Sequence, residues 1–388
     1  MKTCIKIAGA GPAGLAAAIH LAKRGYPVEI FEARETVGGR FIGDFQVIEN
    51  ASRSEDVCDL LKRIGISSRF FFKPLYRATF YDAQLRPTPV KSHSPYGYFI
   101  RRGPGDGTLD SGLLAQAIEA GATVSFGKRI KAEQADIVAT GPAVADGLAK
   151  EMTFRTALPD TISVLFDMNV SPGGYSYLFV LEGEGTFGCA ITRDFDHIDV
   201  YFQKALDRFR RIAPFSTQSE KIAYSFMNFC IKPSAAIENR LYVGEAAGFQ
   251  DYLFGLGIRY ALLTGFAAAE SLIRKEDYDR LWKQEIGLGQ ETSLVNRSLY
   301  ELGGNMGLNT FIRQAGRDDL QGYLNKWHRP NGWKKRLLPF VKWFLQEKGT
   351  CHHRAPRHWC RIRPKSVSKT ELGPLKASSD AKNPEEQA

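Results

Sequence analysis

Through the first third of the chain, short apolar runs that end in glycine alternate with longer runs of helical spacing. Cys4–Ala8 opens a buried parallel strand that is spent by Ala10, where the glycines begin. The stretch holding Ala13, Ala16, Ala17 and Ala18 predicts a close-packed helix, and Val28–Glu32 a second strand. Ser54–Ile64 carries apolar residues at helical spacing, with Ser54 as N-cap. From Phe70 to Ile100 the alternation is that of strands and a hairpin. Three adjacent rings, Phe70, Phe71 and Phe72, exceed what one strand face buries, which leaves core packing or the lining of an apolar cavity.

Further on, a strand ends at Arg101, a helix starts near Asp110, and Ala135–Pro142 is an apolar strand that closes in Ala139-Thr140-Gly141. Thr161–Asp194 alternates as an antiparallel sheet with one covered face and a turn at Gly183–Gly185. A helix from Ile198 to Ile212 places Tyr201, Phe202, Leu206 and Phe209 on one side, and a strand follows at about Tyr224–Phe229. Leu241–Val243 is a strand leading through Gly255 and Gly257 into a long apolar helix that begins at Ile258.

The first strand–turn–helix unit contains G-x-G-x-x-G at Gly9, Gly11 and Gly14, with Pro12 and Ala13 inside it. Gly9 permits the tight turn, Gly11 lets the backbone approach a pyrophosphate, and Gly14 allows the helix to pack on the strand. The helix N-terminus offers free N–H groups and a positive dipole end to phosphate. Glu32, followed by Ala33, stands at the end of the second strand, where a ribose hydroxyl would be met. These features together predict a bound dinucleotide.

Charge changes the picture at one end. The formal net charge is +10, and from Tyr323 onward 15 Lys and Arg face 5 Asp and Glu, so the tail carries the whole excess. A near-neutral body argues against nucleic acid as the partner. No run reaches the ~18 apolar residues of a membrane span, and no secretory leader is expected ahead of the first strand. Cys4, Cys58, Cys189 and Cys230 are expected as reduced core residues of a cytoplasmic protein.

In the tail, Trp333, Leu337, Leu338, Val341, Phe344 and Leu345 fall at helical spacing among Lys334, Lys335, Arg336 and Lys342. Such a segment suits either an anionic membrane surface or docking on the protein's own body. Pro339 is expected to kink or split it. Cys351, His352, His353, His358 and Cys360 hold zinc-ligand chemistry at a spacing that matches no standard finger; Cys351, His352, His358 and Cys360 are weak metal candidates within a basic, disordered tail.

Glu32, five intervening residues, then Gly38-Gly39-Arg40 resembles FAD-binding proteins with the glutathione reductase-type Rossmann domain, the spacing shared by the amine oxidase and phytoene desaturase branches. Gly244-Glu245-Ala246-Ala247-Gly248, followed by Gly255, Gly257 and Ile258, resembles the Gly-Asp-Ala-Ala-Gly and Gly-x-Gly-Ile motif of the p-hydroxybenzoate hydroxylase-like group. That resemblance implies FAD, with Glu245 in the place of the aspartate that binds the ribityl chain, and a helix end directed at the flavin. Within the group the chain resembles the geranylgeranyl reductase family: Pro172-Gly173-Gly174-Tyr175-Ser176-Tyr177-Leu178-Phe179-Val180 keeps Pro, Tyr and Phe of its substrate-domain motif, with Tyr177 for Trp and Val180 for Pro. The family's cysteine-glycine motif is absent. Measured against it, the gap between Val124 and Ala135 is short, so the small intervening sheet is expected to be reduced.

The resemblance implies an α/β fold: an FAD-binding Rossmann-like domain with an interleaved antiparallel-sheet substrate domain and a C-terminal helical segment. The expected boundaries are 1–75, 101–150 and 225–290 for the FAD domain, 76–100 and 151–224 for the substrate domain, 291–350 for the helices and 351–388 for the tail. Cofactor contacts are expected from Gly9, Gly11, Pro12, Ala13, Gly14, Glu32, Ala33, Gly39, Arg40, Arg101, Gly141, Gly244, Glu245, Gly255, Gly257 and Ile258. Tyr175 and Tyr177 are the catalytic candidates. The implied reaction is hydride transfer from reduced FAD to a C=C bond of an isoprenoid or lipid-like substrate. No second G-x-G-x-x-G opens a helix (Gly183, Gly185 and Gly188 have the spacing but fall in the expected antiparallel sheet), so no separate NADPH unit is expected and the donor is transiently docked NAD(P)H or a reduced electron-carrier protein. Two alternatives stand: a flavin monooxygenase of the same fold, and a membrane-docked electron-transfer flavoprotein.

Overall fold

The computed structural model describes residues 3–142, 145–229 and 231–347. Its organising layer is a six-stranded sheet whose order is Ala236–Ile237, Arg240–Tyr242, Ile137–Val138, Ile5–Ala8, Val28–Phe31 and Thr123–Ser125. Every neighbour pair is parallel except the first hairpin. The helix Pro12–Lys23 crosses over from Ile5–Ala8 to its neighbour Val28–Phe31 and packs on Leu109–Glu119 and Ile258–Arg274. Its small residues permit that closeness: a Cβ on Gly265 would stand 2.1 Å from the Ala13 carbonyl oxygen.

A seven-stranded, mostly antiparallel sheet runs Gln218–Met227, Gly147–Arg155, Glu184–Ile191, Tyr175–Leu181, Thr161–Leu165, Arg77–Tyr81 and Pro87–Lys91. One face buries Phe187, Cys189 and Ile191 under Phe202, Leu206 and Phe209 of the helix Ile198–Ile212. Tyr177, Phe179 and Leu181 project from the opposite face onto Phe45, Leu75 and Phe99. Those three belong to a small sheet of Phe45–Glu49, Gly97–Arg101 and Phe72–Leu75. Beyond Ile258–Arg274 the described chain is helical, chiefly Leu288–Ala315 with a kink at Gly304, Leu320–His328 and Gly332–Glu347.

The sequence-based boundaries at 150/151 and 224/225 fall inside strands of the large sheet, which claims Gly147–Arg155 and Gln218–Met227 whole. Asp56, not Ser54, caps the helix Val57–Arg63, accepting a hydrogen bond from the Cys58 amide. The three phenylalanines are packing residues: Phe70 joins the main core, Phe71 lies 5.6 Å from Phe45, and Phe72 stacks on Tyr98 at 4.4 Å. The strand expected over 135–142 is reduced to Ile137–Val138, and between Val124 and Ala135 the chain makes a single 3-10 turn at Ala132–Gln134. The hairpin turn is Glu182-Gly183, both with positive φ, as a two-residue type I′ connection requires. Cys4 is exposed rather than core. Pro339 sits inside an unbroken helix, and that helix buries Leu338 and Val341 against Phe229, Tyr252 and Leu294. No helix among the described residues is long and apolar enough to cross a membrane.

Candidate functional site: a dinucleotide crevice facing an aromatic sheet

The three glycines of the first turn differ in what surrounds them. Gly9 has φ +104°, and a Cβ there would lie 2.4 Å from the Ala139 carbonyl oxygen. At Gly14 it would lie 2.1 Å from the Gly9 carbonyl oxygen. Around Gly11 nothing lies within 4 Å. Two of the glycines therefore hold the turn against the neighbouring strand, and the third leaves a bare opening. The helix behind it begins at Gly11 with Pro12 in its first turn, no side-chain cap and no acid in that turn. The helix Ile258–Arg274 likewise starts from Gly257 with neither cap nor acid. Two positive helix ends with no anion of their own suit a diphosphate and a reduced, negatively charged ring system. Gly141, with φ +75° and no atom within 4 Å of its Cβ position, adds a second bare stretch of backbone beside Ala139. The residues present thus fit a dinucleotide.

Glu32 closes the turn rather than standing free. Its carboxylate accepts the backbone N–H of Ala10 at 2.9 Å and that of Arg34 at 3.0 Å, which fixes it at the end of its strand. Ala33 and Gly39 are exposed beside it, and the Gly39 carbonyl accepts from the Arg34 guanidinium at 3.4 Å. Arg40 reaches across to Glu245 at 3.2 Å. Gly244, with φ +54°, packs over Ala13, and its amide donates to Thr264 Oγ1 at 3.0 Å. Asn228 supports the same segment by donating to the Glu245 carbonyl at 3.0 Å. Gly255, with φ +70°, turns under the Met227 sulfur, and Gly257 lies against the Gln250 side chain. Segments from both halves of the chain meet here.

Arg101 departs from that grouping. Its side chain lies over the Phe45 ring at 4.7 Å and pairs with Glu184 on the large sheet. Successive strand residues face opposite ways, so its neighbour Arg102 takes the crevice side. There Arg102 binds Asp110 with two hydrogen bonds of 2.8 and 2.9 Å and lies 4.0 Å from the Phe41 ring. Burial opposes the Arg102 charge, but Asp110, Asp44 and Glu245 together hold its pKa above the ordinary value. The pair was not foreseen; the legible signal was an acid in the first turn of a helix that Thr108 caps.

The catalytic candidates are separated by what they bond. Tyr175 donates to the Phe254 carbonyl at 2.8 Å, tying the large sheet to the loop ahead of Gly255. Tyr177 donates to Glu151 at 2.7 Å, and Ser225 donates to the other oxygen of the same carboxyl at 3.0 Å. Burial, reinforced by Asp44, pushes the Glu151 pKa up to about 7, against the pull of Tyr177, Ser225 and Arg40. Asp44 is itself raised by burial, although the Ile42 amide, Gln46 and Arg102 pull it down. Neither acid was picked out from the sequence, where each is an isolated carboxylate.

Beyond Phe254 lies an apolar cavity of about 300 Å³ lined by Leu253, Leu299, Leu308, Phe311, Tyr323 and Trp327. The weak metal candidates Cys351, His352, His358 and Cys360 lie outside the described residues. Among the described residues no group of three His, Cys, Asp or Glu is placed to hold a metal.

A family model described as an NAD(P)-binding Rossmann-like domain matches residues 7–44. The thiamine thiazole synthase of Thermotoga maritima is 30% identical over 118 residues, 26% of this chain and 47% of that protein. The chain thus spans about half the length of the curated relative it matches. Among solved structures, a geranylgeranyl bacteriochlorophyll reductase-like protein of Thermoplasma acidophilum is similar with a TM-score of 0.67, at 17% identity, over 87% of this chain and 100% of that one. The flavin-dependent brominase Bmp2 is similar at 0.58, with 16% identity over 83% and 94%. A flavoprotein/dehydrogenase of Cytophaga hutchinsonii gives 0.59, with 15% identity over 88% and 98%.

Proposed function

We propose, from the flavoprotein fold that these likenesses share with the chain, that it is an FAD-dependent reductase acting on a C=C bond of an isoprenoid or other lipid-like substrate. The observation that carries the reading is the apolar cavity behind Phe254, the residue whose carbonyl holds Tyr175 and whose loop leads into Gly255 and Gly257. A space walled chiefly by Leu308, Phe311 and Trp327 offers a hydrocarbon chain dispersion contacts. Its polar lining is limited to Asn296, Thr310 and the hydroxyls of Tyr300 and Tyr323, and among the described residues no cationic side chain lines it to pair with a carboxylate.

FAD, when bound, supplies the hydride. Gly11, Gly141 and the helix end at Pro12 would hold its diphosphate, and Arg40, Gly244, Glu245 and Gly257 would border its flavin half. Tyr175 fixes the loop that carries Gly255, and the aromatic face of the large sheet excludes water. NAD(P)H or a reduced carrier protein is the proposed donor.

A lipid substrate also gives a reason for the C-terminal helix. Trp333, Leu337, Phe340 and Trp343 are exposed beside exposed Lys335 and Arg336, while Leu338 and Val341 face inward. One helix thus docks on the body and still presents apolar and cationic groups, which supports peripheral contact with an anionic membrane.

The test is anaerobic reduction of the flavin followed by mixing with prenyl lipids. Rapid reoxidation with saturation of the lipid is expected. A reduced flavin that no prenyl lipid reoxidises, but that reacts quickly with oxygen and an aromatic acid, would replace the reading with a monooxygenase.

A further inference from the structure

We propose that Tyr177 delivers the proton that completes reduction of the substrate, and that Glu151 is the positioning residue that holds its hydroxyl and renews its proton. The inference rests on the reductase reading above and adds the source of the proton to it.

Three residues carry the geometry. Tyr177 pairs with Gly188 on the next strand, and Gly188 pairs with Glu151 on the strand after that, so the three form one row across the sheet. Gly188 has no side chain, and the Tyr177 ring lies over it: a Cβ there would be 2.2 Å from the ring and 2.4 Å from the hydroxyl oxygen. The gap lets the hydroxyl reach Glu151 two strands away, at 2.7 Å. Ser225, on the fourth strand, takes the second carboxyl oxygen at 3.0 Å. This sheet face looks toward the cofactor loop, because Met227, two residues beyond Ser225, lies under Gly255.

The groups facing Glu151 are Tyr177, Tyr175, Ser225, Asp44 and Arg40. Tyr175 and Asp44 also bear on Tyr177. Arg40, which lowers the Glu151 pKa, is itself paired with Glu245. In this setting a buried carboxyl retains its proton toward neutral pH.

Saturating a C=C bond takes one hydride and one proton. FAD, when bound and reduced, would supply the hydride, with both electrons, to one carbon. At the other carbon a C–H bond forms as the O–H bond of Tyr177 breaks. With Glu151 protonated, its O–H donates across the 2.7 Å contact to the phenol oxygen, which frees the Tyr177 O–H for the substrate. As that bond breaks, the carboxyl passes its proton to the phenolate oxygen, and the carboxylate then takes one from water. No oxidant or reductant beyond the flavin is needed.

Two measurements on the full chain with its flavin test this. Infrared difference spectra across a pH titration should show a protonated-carboxyl band that disappears with a midpoint near 7 and that Glu151→Gln lacks. A band that titrates in the ordinary carboxylate range, or one that persists in Glu151→Gln, overturns the role of Glu151. In stopped-flow mixing of reduced protein with prenyl lipid, Tyr177→Phe should slow reoxidation about 100-fold or more, while flavin content and absorbance stay unchanged. Glu151→Gln should flatten the pH profile of that step. Wild-type reoxidation rates and pH profile in both variants would overturn the proposal and leave the reductase reading intact. A wild-type flavin that no prenyl lipid reoxidises would instead overturn the reading, and the proton-donor role with it, whatever the infrared band shows.

Discussion

Arg40 and Glu245 are 205 residues apart in the chain and 3.2 Å apart in space. The contact joins the loop after the first βαβ unit to the segment that resembles the flavin-binding motif. It also answers what a longer carboxylate does at position 245: the extra methylene extends the group as far as the guanidinium. Both side chains keep some solvent contact, 32% and 16%, so the pair adds less than about 1 kcal/mol to folding. Glu245→Gln should therefore leave apoprotein melting nearly unchanged and weaken flavin retention, measured by fluorescence titration of the apoprotein. Equal flavin affinity in the variant would mean that the clasp is structural alone.

The three glycines of the first turn should separate by phenotype. Gly9→Ala and Gly14→Ala drive a Cβ into backbone at 2.4 and 2.1 Å and should destabilise the apoprotein by at least about 2 kcal/mol. Gly11→Ala meets no protein atom. Its apoprotein should melt as wild type does and yet lose flavin. Calorimetry of the stripped proteins, with flavin content of the purified ones, checks both halves of the statement.

Gly188→Ala should cost on the order of 1–3 kcal/mol in urea denaturation, because Tyr177 occupies the place of the new methyl group. In a Tyr177→Ala background most of that cost should vanish. Additive costs in the double-mutant cycle would place the strain elsewhere.

Stability should also depend on pH through Glu151. Its folded pKa of about 7 lies above the ordinary 4.5, so the folded state holds the proton more tightly than the unfolded chain. The contribution is fully present below about pH 4.5, is lost as pH rises toward 7, and is constant above that. At 1.36 kcal/mol per pKa unit the loss is roughly 3 kcal/mol. Glu151→Gln should lack this slope, which chemical denaturation at a series of pH values would show. An unchanged slope would assign the pH dependence to other groups.

For the C-terminal helix, Phe340→Ser with Trp343→Ser removes two exposed rings and leaves the inward Leu338 and Val341 in place. Flotation with anionic liposomes should fall several-fold with melting unchanged. Retained flotation would assign any lipid binding to another surface.

Much of the crevice was legible because its residues are local signals. A glycine triplet after a strand, an acid closing the next strand, and glycines ahead of an apolar helix each report a backbone conformation within a few positions. Tyr175 and Tyr177 were picked out through a short motif. The Tyr177–Glu151 contact was not legible, because it depends on the register that sets Gly188 between the two residues, and strand pairing is not written in any one of those strands. Arg102 was lost to its neighbour for a related reason: strand alternation sends Arg101 and Arg102 to opposite faces, and nothing local says which face is the crevice. The C-terminal helix was read as suiting either a membrane surface or the body, whereas its apolar residues divide: Leu338 and Val341 face the body, and Trp333, Leu337, Phe340 and Trp343 are exposed.

The order of strands in the parallel sheet has a consequence for synthesis. Ile5–Ala8 is flanked on one side by Ile137–Val138, which must wait for Arg240–Tyr242, and the second helix end at Ile258 follows later still. At ribosomal speeds of about 5–20 residues per second, the first turn leaves the tunnel roughly 12–50 seconds before the segment that completes its crevice. The nascent glycine turn therefore spends that interval without a partner for half of its site, and the crevice can close around a dinucleotide only after the segment at Ile258 has emerged.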